Sequence, residues 1–149
     1  MSFTNIRREL QDLYGRVRPG ASVAALNDLQ ARYSVSLPED LRSAYQLMDG
    51  ADDSTDPGSS WMRFWSIEEF APATDNLPLH TPTGSESKLF VLADYAIDCV
   101  YYVIDLGPHS ESFGHVFALG ATRVAEVAKS FAEFVQLVVA DDYRLHSYS

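Results

Sequence analysis

The chain has 149 residues, 46% hydrophobic and 12% aromatic, which is enough apolar side chain for one packed domain and too much for a disordered chain. Its formal charge of -10, from 21 acidic and 11 basic side chains, argues against nucleic acid or an anionic membrane as the main partner, since both call for a basic surface. One cysteine allows no internal disulfide, the first residues show no leader pattern, and no window approaches the ~20 apolar residues of a membrane span, so a cytoplasmic protein is expected.

Thr4 can cap a first helix. Ile6, Leu10, Leu13, Tyr14 and Val17 then recur on one stripe, until Arg18-Pro19-Gly20 ends it. Ser22 suits the N-cap of a second helix whose buried face carries Leu26, Leu29 and Tyr33. Ser34–Leu37 reads as a short extended break, because Pro38 disfavours helical geometry in the residue before it. Pro38 opens a third helix, with Glu39 and Asp40 at its positive end. Leu41, Ala44, Tyr45 and Met48 face the core, and Gly50 is the expected stop.

Residues 51–60 form a polar loop, followed by a strand over Trp61–Trp65. Ser66-Ile67-Glu68-Glu69 has capping-box spacing and predicts a short helix running toward Phe70. Residues 71–87 hold Pro72, Pro78, Pro82 and Gly84 and read as an excursion with little regular structure, a length that suits a binding loop. Lys88–Ala93 and Cys99–Asp105 are two strands with a connection between them. Gly107–Gly114 is a turn-rich break, and His115–Leu119 and Thr122–Val127 are two more strands. A second capping box, Ser130 with Glu133, opens a last helix that buries Phe131, Phe134, Val135 and Val138. The tail over residues 141–149 is polar. Helices first, strands next and one closing helix predict a single α+β domain over residues 1–149. Its antiparallel-rich sheet is expected to have four to five strands, with the helices packed on it.

Little in the chain suggests chemistry. His80, His109, His115 and His146 include no pair at helical metal-ligand spacing, and surface or turn roles are expected. Phosphate-loop, dinucleotide and nucleophile-elbow signatures are missing. Cys99 begins an apolar run and reads as a buried structural thiol. No catalytic residue, metal site or cofactor is therefore expected, and the chain does not read as an enzyme. Asp49, Asp52, Asp53 and Asp56 are either a solvated loop or a contact surface for a basic partner; the spacing falls short of a calcium loop. Trp61 and Trp65 share a face if their segment is a strand, and serve either as packing or as a binding hot spot. Asp94, Tyr95 and Asp98, in the expected strand connection, could extend that surface or form an ordinary turn.

The segment Leu26–Gly50, with its helix, its Leu37-Pro38 break, Asp40, a second helix and Asp49-Gly50, resembles the SUKH superfamily. The strand Phe90-Val91-Leu92-Ala93-Asp94 and the helix Ser130-Phe131-Ala132-Glu133-Phe134 are also similar to that family's, so the resemblance covers residues 20–140. It implies a scaffold shared by the fungal cell-wall-synthesis regulator and by bacterial immunity proteins, with function carried on variable surface. A protein partner follows from it: a basic toxin domain, a nuclease among the candidates, if the chain is an immunity protein. A regulatory adaptor is the alternative. A small-ligand binder or enzyme using residues 71–87 as a lid is a third reading.

Overall fold

The computed structural model describes residue 8 and residues 17–51, 62–73, 86–95, 100–120 and 124–140. Of the expected first helix, Arg8 is helical and Val17 is not. Val17–Pro19 is instead a strand, β1, antiparallel to β2. Proline is at home on such a strand, where its missing N–H costs no ladder bond.

Helix α1, Val23–Tyr33, begins where Ser22 Oγ accepts the Ala25 N–H at 3.1 Å. It ends at Ser34, whose left-handed backbone (φ 55°) turns the chain into the extended break. That break is pinned twice: the Leu37 N–H donates to Gln30 Oε1 and the Ser36 N–H to the Leu106 carbonyl. Helix α2, Glu39–Leu47, buries Leu41, Ala44 and Tyr45. Its first turn also reaches across the molecule. Asp40 Oδ1 accepts the Leu41 N–H at 2.8 Å, and Asp40 Oδ2 accepts the Ala132 N–H of the last helix at 3.0 Å. That helix, α3 over Phe131–Val139, is capped by Ser130 Oγ on the Glu133 N–H, as its capping box predicts.

Gly50 does not stop α2. The helix ends at Leu47, and Met48–Ala51 is a strand, β2, with Met48 fully buried as its first residue. Gly50 lies inside that strand at φ +90°, where a Cβ would stand 2.8 Å from the Phe64 carbonyl oxygen and 2.9 Å from the Ser66 nitrogen. A glycine with positive φ serves a helix stop and a close backbone approach equally well, and here the second need decides.

Among the described residues the sheet has eight strands, more than the four to five expected. Strand β3 is Met62–Phe64, β4 Ala71–Pro72, β5 Leu89–Tyr95, β6 Val100–Asp105, β7 Val116–Leu119 and β8 Val124–Ala128. All its pairings are antiparallel. The order is β1-β2-β3-β5-β6-β7-β8, with β4 also on β5. The unforeseen strands have two to four residues, too short to show a period of two. Asp94 and Tyr95 belong to β5 rather than to a connection. The excursion at residues 71–87 starts with the short strand β4; its residues 74–85 lie outside the described residues.

One apolar cluster joins α1, α2 and α3 to the sheet, through Leu26, Tyr45, Phe64, Tyr102, Phe131 and Phe134. Phe64 meets Phe131 and Phe134 edge-on, with ring centroids 6.2 and 5.8 Å apart. Each such side chain contributes roughly 1.5–3 kcal/mol by burial. A second cluster, Leu89, Val91, Val103, Phe117 and Leu119 with Ala73, takes the alternate positions of β5, β6 and β7. Beyond β6 the chain turns on Asp105, which is fully buried. Its Oδ1 accepts the Lys88 and Gly107 N–H groups, and its Oδ2 accepts the hydroxyls of Ser110 and Ser112.

Two substitutions test these ties. Gly50→Ala is expected to lose at least about 1–3 kcal/mol of stability in urea titration, from backbone strain and crowding. Asp40→Ala is expected to lose about 0.5–2 kcal/mol, as removal of a helix cap does. Asp40→Asn should recover only part, because its amide nitrogen replaces one of the two oxygens that accept these N–H groups.

Candidate functional site

After Phe64 the chain leaves the edge of β5 and returns to it at Ala71. The excursion strips several backbone groups of ladder partners, and side chains replace them. The Tyr45 hydroxyl donates to the Trp65 carbonyl at 2.7 Å. Glu69 Oε1 accepts the Ser66 N–H at 3.0 Å, and Asp49 Oδ1 accepts the Ile67 N–H at 2.7 Å. Half of the Ser66–Glu69 capping box forms: Glu69 accepts the Ser66 N–H, but the Glu69 N–H goes to the Ser66 carbonyl, and the segment closes a single turn and not the expected helix. Pro72 explains the arrest: it disfavours helical geometry at Ala71 and cannot donate to a helical ladder.

Around this turn the structure gathers a chain of charged and aromatic groups. Arg63 Nη1 donates to Glu69 Oε2 at 2.9 Å, and Arg63 Nη2 lies 3.3 Å from Asp94 Oδ2. The indole N–H of Trp65 donates to the same Asp94 oxygen at 2.9 Å. The Arg63 guanidinium stands over the Trp65 ring, 5.2 Å from its centroid, and Tyr101 meets the indole edge-on. Arg18 adds an ion pair to Glu69 at 3.4 Å. Asp94 is 5% exposed, whereas Arg63, Trp65, Glu69 and Arg18 are each partly open to solvent.

Of the residues singled out by sequence, Asp49, Trp65 and Asp94 are brought together here. The carboxylates of Asp49 and Asp94 hold the site from within. The described part of Tyr95 is its backbone in β5, and Asp52, Asp53, Asp56, Trp61 and Asp98 lie outside the described residues, as does Cys99. Sequence reading missed Arg63, Glu69 and Arg18 as members of the site. For Arg63 a signal existed: it stands two residues before Trp65 in an extended segment, which puts both on one face. His115 faces Glu126 through its Nδ1, and Lys129 Nζ lies 3.7 Å from the same carboxylate. Among the described residues no three His, Cys, Asp or Glu side chains come together as a metal-binding group, and no helix is long and apolar enough to cross a membrane.

The carboxyls titrate in opposite senses. Burial raises Asp49, helped by the nearby Glu68 and Glu69, against the lowering pull of the Ile67 N–H and Arg18. Burial also works to raise Glu69, but Arg63 and the Ser66 N–H outweigh it, and its carboxyl ends below the usual range. Tyr45 is pushed well above the ordinary phenol value by burial and by Asp49 and Glu69, so it remains a donor. Arg63 loses to desolvation but gains more from Glu69 and Asp94, and it is held charged.

Beside the turn, facing α1, lies a pocket of about 320 Å³. Its floor is Leu29, Ile67 and Phe70, all buried, with Ala25 at one wall. Its rim carries Asp28, Arg32 and Glu68. Asp28 and Arg32 form an exposed ion pair along α1 at 2.6 Å.

A family model described as the SMI1 / KNR4 family (SUKH-1) matches residues 20–137. No curated protein matches the chain.

The titrations predict a pair of opposite results. The stabilising contribution of Asp49 is full below its unfolded pKa and is lost as pH rises through its raised folded value. That of Glu69 is full above its unfolded pKa and is lost as pH falls through its lowered folded value. Urea titrations should therefore show Asp49→Asn raising the midpoint at pH 7 relative to its effect at pH 3, since the amide oxygen still accepts the Ile67 N–H. Glu69→Gln should lower the midpoint at pH 7 more than at pH 3. The same sign for both variants would refute the assignment.

Proposed function

The chain belongs to the SMI1 / KNR4 family (SUKH-1), and on that premise we propose that it is a non-catalytic protein-binding module of the cytoplasm, an immunity protein that neutralises a basic toxin by direct contact. One observation carries the reading: the partly exposed Arg63–Trp65 stack, fixed from beneath by Asp94 and from the side by Glu69. Tryptophan and arginine are the side chains most enriched at interface hot spots. Here both are held in one geometry before any partner arrives, so little side-chain freedom is lost on docking. The net charge of -10 supports a basic partner, because a negative surface speeds its encounter and rejects acidic competitors. A nuclease toxin suits this chemistry, since its own substrate-binding cleft is positive.

Calorimetry of the purified chain against toxins encoded by neighbouring genes tests the proposal. Saturable binding, weakened by salt, is expected, together with protection of cells that express the toxin. Hydrogen exchange in the complex should slow at residues 62–69. Failure to bind any such toxin, with no protection, would sink the immunity reading. Binding without protection would instead favour a regulatory adaptor.

A further inference from the structure

The Arg63–Trp65 stack draws on Glu69 of the 65–69 turn, and the neighbouring pocket draws on Ile67 and Glu68 of the same turn. We infer that this pocket, between α1 and the turn, receives a single lysine or arginine side chain from the protein partner, its aliphatic stem on Leu29, Ile67 and Phe70 and its cationic head at Glu68 and Asp28. The identity of that partner rests on the proposed immunity function; the chemistry of the pocket does not.

Three features select this occupant. The volume of about 320 Å³ is at the small end of ligand pockets, which run from about 300 to 1,000 Å³, and has room for one long side chain together with the water that hydrates its charge. The floor is apolar and the rim is polar, which matches the amphipathic build of lysine and arginine: an apolar stem ending in a charge. The charges are also asymmetric. The rim has two carboxylates and one guanidinium, and the guanidinium already belongs to Asp28. Glu68 is exposed, and among the described residues it forms no ion pair. Its field reaches Asp49, whose carboxyl it helps to raise after burial has done most of the work. An incoming cation would thus find one unpaired carboxylate and share a second, whereas an incoming carboxylate would meet Glu68 with Arg32 already engaged.

The test needs no partner. Isotope-labelled protein is titrated at low salt with the end-blocked tripeptides Gly-Lys-Gly and Gly-Arg-Gly, and with the neutral counterpart carrying norleucine in place of lysine. Saturable amide shifts are expected at Ala25, Leu29, Ile67, Glu68 and Phe70 with the two cationic peptides and not with norleucine. Raising the ionic strength from about 0.01 M to 0.15 M, which shortens the screening length from about 30 Å to 8 Å, should weaken them. Glu68→Gln should weaken binding about two- to five-fold, the range of an exposed ion pair. Arg32→Gln, by freeing Asp28, should tighten binding by a similar factor, a gain that a merely structural role for the Asp28–Arg32 pair would not produce. All the substituted side chains are exposed, so the fold should survive.

The inference is overturned if the shifts are absent, if norleucine binds as well as lysine, or if Arg32→Gln fails to tighten binding. The two readings fail separately. Peptide shifts without any toxin partner remove the immunity reading alone. A bound toxin with a silent pocket removes this inference alone.

Discussion

The structure depends on how one short segment satisfies its backbone. Between Phe64 and Ala71 the chain steps off the edge of β5, and its polar groups cannot be left dry without partners, each such loss costing about 1–3 kcal/mol. Side chains and neighbouring peptide groups answer for them. The Trp65 N–H stays on the Leu92 carbonyl, the Trp65 carbonyl takes the Tyr45 hydroxyl, and the Ser66 and Ile67 N–H groups go to Glu69 and Asp49. Gly50 lets β2 come close enough for this to happen. The departure from the ladder is thus compensated by groups drawn from α2, β2 and the turn itself. It also fixes where Trp65 and Arg63 point, and it sets Ile67 and Phe70 as the floor of the neighbouring pocket.

The same arrangement accounts for the electrostatics. Asp49, Glu68 and Glu69 crowd one turn, and the two members that accept backbone N–H groups respond differently. Glu69 has Arg63 at hydrogen-bonding distance and is held charged. Asp49 has the Ile67 N–H and the weaker help of Arg18, which do not outweigh its burial and its acidic neighbours. Low net stability (about 5–15 kcal/mol for a domain) makes such a tension consequential. It is tolerable because the Ile67 N–H needs an acceptor more than Asp49 needs water.

The helices are legible in the sequence because their ends carry specific chemistry. Ser22, Pro38, and Ser130 with Glu133 each start a helix for a reason local to a few residues. The sheet is less legible. Strands β1, β2 and β4 are two to four residues long, and what defines them is a partner far along the chain. Gly50 reads as a helix stop because its allowance for positive φ says nothing of what crowds it. Asp105 reads as an ordinary strand end, although its carboxylate organises the whole 106–115 loop; only the serines at 110 and 112 hint at it. The site is half visible. Asp49, Trp65 and Asp94 stand out by type, whereas Arg63 and Glu69 acquire their roles from cross-strand pairing and from the turn. The family resemblance over residues 20–140 agrees closely with the matched span of 20–137.

That agreement separates scaffold from surface. Asp49 and Gly50 are adjacent, and their roles are complementary. Asp49 accepts a hydrogen bond from the turn, and Gly50 makes room for the turn to approach. Asp40, close after Leu37-Pro38, ties α2 to the neighbouring α3. The motif carboxylates are therefore engaged in internal hydrogen bonds, although Asp40 and Asp49 remain partly open to solvent. Glu68 is the opposite case. It sits on the turn whose Ile67 N–H Asp49 accepts, and among the described residues its carboxylate forms no ion pair, acting on the fold only through its field at Asp49. A position of this kind can change charge or size at little cost to stability, usually within about 0.5 kcal/mol. A rigid turn whose hidden side is fixed and whose open side is free is a physical basis for one scaffold meeting many different partners.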